Sequence, residues 1–155
     1  MKKTVGTALV VLAGLSIVAG LWVEQARAQG AKTAVVWPAV DIKWSDNPAM
    51  KGAKIAVLWG NPKTGAYGAL KTIPGGGSLP LHTHSHDQKV ISISGTILLS
   101  IEAGPAKDLT SGSYAFIPGG LKHSAECKAE ADCTYFEEQA GASDIKLVEG
   151  TAQKK

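Results

Sequence analysis

Helical periodicity is missing from this chain: beyond the first 28 residues, no stretch of about 11 residues spaces its apolar side chains for one helix face. That argues against a helical bundle. No Lys/Arg-rich run occurs either, and the formal charge of +3 shrinks once Lys2, Lys3, Arg27 and Glu24 are set aside, leaving 13 basic groups against 12 acidic ones. A near-neutral body lacks the electrostatic footprint that a phosphate backbone attracts, so no nucleic-acid partner is expected. Nucleophile-elbow, phosphate-loop and paired-carboxylate motifs are absent, and serine-hydrolase, nucleotide-dependent and ordinary glycosidase mechanisms fall with them. Cysteine is limited to Cys127 and Cys133, and histidine to four positions. A length of 155 residues gives room for one good core, and 45% hydrophobic against 19% charged residues argues against whole-chain disorder.

What is present begins with a leader. Lys2 and Lys3 precede an uncharged run from Thr4 to Val23, and Ala26-Arg27-Ala28 forms a small-x-small cleavage pattern. Residues 1–28 therefore read as a secretory signal, placing the body in the periplasm or outside the cell with no stable membrane association after cleavage. The competing reading is a retained anchor, since about 20 uncharged residues can span a bilayer. Residues 29–52 read as an N-terminal arm whose Trp37, Val40, Ile42 and Trp44 need a surface to cover, either the barrel flank or a partner subunit, residues 53–149 as a barrel, and residues 150–155 as a flexible tail.

Eighteen Gly and seven Pro punctuate short apolar or alternating runs, the pattern of an all-β barrel or sandwich. Eight strands are predicted: Lys54 to Trp59, Tyr67 to Ile73, Leu79 to His84, Gln88 to Ser94, Thr96 to Ile101, Ser113 to Ile117, His123 to Cys127 and Cys133 to Glu137. Tyr114 and Phe116 alternate on one strand, as Val90 and Ser92 do on another. Val90, Tyr114 and Phe116 are candidates for lining an internal cavity, with ordinary core packing the competing role. Ile91, Ile93, Leu98 and Ile101 leave both faces of the central strands apolar, which suits a covering arm or a homodimer interface.

His82, His84 and His86 stand in one alternating row, and His123 follows about forty residues later. A strand repeats every two residues, so His82 and His84 share a face and can grip one ion. His86 shares that parity, but the turn toward Gln88 favours a rim position over a ligand.

The stretch from Gly76 to Gln88, with its His82-Thr83-His84 core and Gly95 beyond, resembles the first motif of the cupin superfamily: Gly, five residues, His-x-His, three or four residues, Glu, six residues, Gly. Gly112, Pro118, Gly120 and His123 resemble the second motif, whose last position, usually Asn, is Cys127. The resemblance implies a jelly-roll barrel, often dimeric, holding one divalent transition metal through His82, His84 and His123. It places Gln88 where the family has an acidic ligand. Three imidazoles suit Zn, Cu, Fe or Ni, with Mn also open, and metal loading after export favours Zn or Cu. Thiol dioxygenases of the same superfamily also lack the Glu. Two functions therefore stand: a dioxygenase-like enzyme on a small organic substrate, or a non-catalytic periplasmic binding or sensor protein. Cys127 and Cys133 flank a five-residue loop and can bridge in an oxidising compartment. Alternatively, Cys127, four residues from His123, is a free thiol near the metal.

Overall fold

A computed structural model describes residues 34–148, of which those from Trp37 onward belong to one compact unit. The expected leader at 1–28, the start of the arm and the tail at 150–155 lie outside the described residues. The strands in chain order are β1 (Ser45–Asp46), β2 (Lys54–Gly60), β3 (Tyr67–Ile73), β4 (Ser78–Thr83), β5 (Gln88–Ser94), β6 (Ile97–Ile101), β7 (Lys107–Leu109), β8 (Tyr114–Ile117), β9 (His123–Cys127), β10 (Cys133–Gln139) and β11 (Lys146–Leu147).

They form two antiparallel sheets packed face to face. One has the order β1-β2-β3-β10-β5-β8 and the other β11-β4-β9-β6-β7. Alternation decides which side chains enter the space between them: along β10, Cys133, Tyr135, Glu137 and Gln139 are buried while the residues between them are half-buried. Cross-strand partners share a face, so Tyr135 stands beside Lys71 on one side and Ser92 on the other. Ile73, Val90, Ile97, Cys127, Cys133 and Tyr135 form the apolar core. On the outer face of the same sheet Leu70, Phe136, Ile91 and Tyr114 follow one another as cross-strand partners, and Ile91 and Tyr114 are exposed.

Of the two surfaces expected for the arm, its aromatics do not take the barrel flank. The arm makes a 3-10 turn at Ala39–Asp41, and β1 then pairs with β2 through Ser45↔Ile55 and Asp46↔Lys54. The Trp37 indole N–H donates to the Leu58 carbonyl at 3.3 Å. Trp37 and Trp44 stay 48% and 42% exposed, so the arm extends a sheet edge instead of burying its aromatics on a flank. Cys127 and Cys133 form a disulfide with Cα atoms 5.8 Å apart, which removes the free-thiol alternative. It ties the end of β9 to the start of β10, linking the two sheets.

Candidate metal centre

β4 and β9 are neighbours, and their register sets His82 directly opposite His123. His84 follows β4 and is buried with them. One ligand atom from each of the three rings lies within 4.8 Å of the others. The main chain fixes which nitrogen that is. His82 Nδ1 bonds the Pro80 carbonyl at 2.7 Å, His123 Nδ1 bonds the Leu121 carbonyl at 3.0 Å, and His84 Nδ1 bonds the Asp144 carbonyl. A carbonyl only accepts, so each Nδ1 carries the proton and each Nε2 presents a lone pair inward.

Charge cannot relieve this convergence. Burial pushes the His82 pKa down to about 4, and burial likewise lowers those of His84 and His123, so the rings are neutral at neutral pH. His82 Nε2 and His84 Nε2 then face each other at 3.1 Å with no proton between them. A cation satisfies both lone pairs at once, and the donor set fits a divalent transition metal.

The triad faces a cavity of about 50 Å³ walled by Leu79, Ile97, Leu99, Leu109, Val90, Ile117 and Tyr135, with Gln88 at its edge. Gln88 is 3% exposed, and the one buried side-chain polar atom without a hydrogen-bond partner among the described residues is Ser92 Oγ. Val90 lines this cavity; Tyr114 and Phe116 do not. The register explains the difference. Gln88 pairs with Ile117 and Val90 with Ala115, so those residues face inward and the aromatics between them point out, 58% and 50% exposed. His86 is exposed at the rim, its ring lying where a Cβ on Gly141 would sit.

Two groups of residues escaped sequence reasoning. The first is a clamp formed by the segment that follows β10. Asp144 accepts from the Ser85 N–H at 2.9 Å and the Ser85 hydroxyl at 2.6 Å while its carbonyl orients His84. Those Ser85 bonds hold the Asp144 carboxyl down to about 2. Lys146 donates to Ser85 Oγ at 2.7 Å, and β11 pairs with β4 opposite His82. From the other side Gly119 packs so closely that a Cβ there would lie 2.7 Å from the Ser85 carbonyl. The second is a buried ion pair, Lys71 to Glu137 at 2.5 Å, with the Tyr67 hydroxyl 2.6 Å from the same carboxylate oxygen. Burial opposes both charges, but each outweighs it for the other, keeping Glu137 ionised and Lys71 protonated. Parity was the available signal: Lys71 shares a face with Tyr67, Ala69 and Ile73.

A family described as a domain of unknown function (DUF4437) matches residues 23–143. The chain belongs to that family. No curated protein matches this DUF4437 chain. Among solved structures it is similar to the polyketide cyclase RemF from Streptomyces resistomycificus, at TM-score 0.63 and 16% identity over 77% of this chain and 89% of that one. KdgF from a Halomonas species gives TM-score 0.59 and 18% identity over 72% and 97%. An RmlC-like cupin from Shewanella frigidimarina gives 0.58 and 20% over 72% and 95%. At such identities the likeness speaks to fold, and the DUF4437 fold is the cupin jelly roll.

Proposed function

We propose that the protein is an exported, metal-dependent cupin enzyme acting on a small organic molecule, with dioxygenase-like chemistry. The observation that carries this reading is the convergence of three buried imidazoles on a mostly apolar cavity. A metal ion held by His82, His84 and His123 would supply Lewis-acid chemistry, and a redox-active ion electron transfer, at the positions the protein leaves open. The chain's own contributions are separate. Apolar walls exclude water, and the Gln88 carboxamide offers a donor and an acceptor to whatever enters. Burial raises the pKa of Tyr135, so its phenol remains a proton donor. Export is supported by the leader pattern at residues 1–28 and by the disulfide.

The test is metal content with oxygen uptake over a panel of thiols, phenols and diketones, comparing the protein with His82→Ala. Stoichiometric metal and uptake that vanish together in the variant support the reading; a protein that retains no metal overturns it. The second reading is a periplasmic binding or sensor protein. It is favoured by one observation: besides the histidines, the cavity's only titratable side chain is Tyr135. Saturable ligand binding without turnover across the panel would select it.

A further inference from the structure

Two sheet edges stand apart on one side of the barrel, β7 on one sheet and β8 on the other. Between them lies a groove of about 500 Å³ lined by Leu99, Ile101, Lys107, Leu109, Tyr114 and Phe116 among others. Leu99 and Leu109 also wall the histidine cavity, so those two side chains lie between the groove and the metal centre. The cavity alone has room for only a few water-sized groups, each needing about 10–15 Å³ of such space. The groove is about ten times larger, large enough for the body of a small organic molecule whose reacting end reaches inward.

The walls state what that molecule is. Tyr114 and Phe116 leave about half their surface to solvent and offer aromatic faces on which a flat apolar ligand can stack. Lys107 pairs with Leu99 in the β6–β7 register and so shares the face that carries Leu99 into the cavity wall. Its ammonium has no ion-pair partner among the described residues. Further in, the charges favour the same sign of ligand. Gln88 brings no negative charge to the cavity, and Lys71 cancels Glu137. We propose that the groove is the substrate-recognition site and the passage to the histidines, and that it takes a small planar aromatic anion of the carboxylate or phenolate type. The ring rests on Tyr114 and Phe116, Lys107 draws the anion in, and displacement of the Leu99 and Leu109 side chains admits its charged end. This assignment of substrate class rests on the metal-enzyme reading; occupancy of the groove does not.

Benzoate and neutral benzamide serve as probes. In metal-free protein, benzoate is expected to shift the backbone amide resonances of Lys107, Leu109, Tyr114 and Phe116 and to bind about fivefold more tightly than benzamide. Lys107→Gln should erase that preference, and Tyr114→Ser with Phe116→Ser should weaken both probes about fivefold. In Co(II)-loaded protein benzoate should alter the visible spectrum, and Leu109→Trp should suppress the change at unaltered metal stoichiometry. Shifts that cluster elsewhere, or equal affinity for the two probes, would sink the groove assignment. A spectral response untouched by Leu109→Trp would sink the passage. Because Lys107 and the two aromatics are exposed, their variants decide the matter even if Leu109→Trp does not fold. Failure to take up Co(II) would end the metal-enzyme reading while leaving the metal-free binding result intact.

Discussion

At the scale of single residues, proton placement does most of the chemistry. Each imidazole spends its Nδ1 proton on a carbonyl, so the ligand nitrogens need no rearrangement when an ion arrives. Gln88 is where this protein departs from the ligand set its sequence resembles. Gln88→Glu returns a carboxylate to the cavity edge and is expected to slow metal loss to a chelator by about tenfold or more; unchanged release would place the side chain out of reach of the ion. The neutral rings also set a pH dependence. In the unfolded chain His82 takes a proton near 6.5, whereas in the folded protein it resists until about 4. The unfolded state therefore binds more protons between those values, and stability is full above about 6.5 and falls as pH drops toward 4. His82 alone accounts for up to roughly 3 kcal/mol, to be read from urea unfolding of chelator-treated protein at pH 7 and 4.5.

Elements differ in how far the sequence disclosed them. The ends of β3, β5 and β9 are where alternation and turn residues predict them, because apolar runs of five to seven residues meet strong Gly or Pro punctuation. β1, β7 and β11 went unseen for the opposite reason: at two or three residues they exist through tertiary pairing, with no pattern long enough to read. The two-residue period put His82 and His84 on one face without knowledge of neighbouring strands, whereas His123 was joined to them only by the resemblance to the second cupin motif. Tyr114 and Phe116 could not be oriented in this way, because their facing depends on which residue of β8 meets Gln88. The clamp was illegible altogether, as Asp144 acts on His84 partly through its backbone carbonyl. Asp144→Ala keeps that carbonyl and loses both Ser85 bonds. It should cost about 1–2 kcal/mol and accelerate metal release, with Asp144→Asn recovering part of the loss. Metal release at the wild-type rate would show that the strap orients nothing.

For the whole molecule, the sheets are joined by one covalent bond and by groups buried between them. Reducing the Cys127–Cys133 bridge opens a short loop and should lower stability by about 2 kcal/mol, measured by unfolding with and without reductant. The ion pair behaves differently. Lys71→Met strands Glu137 as a buried lone charge and should cost about 3–5 kcal/mol, whereas Lys71→Met with Glu137→Leu should recover most of it. Equal losses in the single and double variants would mean the pair is valued for shape and not for charge. The clamp on His84 has a further consequence for the order of events in assembly. Its carbonyl lies sixty residues beyond the histidine it steers. During synthesis His82, His84 and His123 all emerge before that carbonyl, so the full donor geometry comes into being only when the last described segment has docked. Metal capture would then act as a timer, reporting that nearly the whole barrel has already closed.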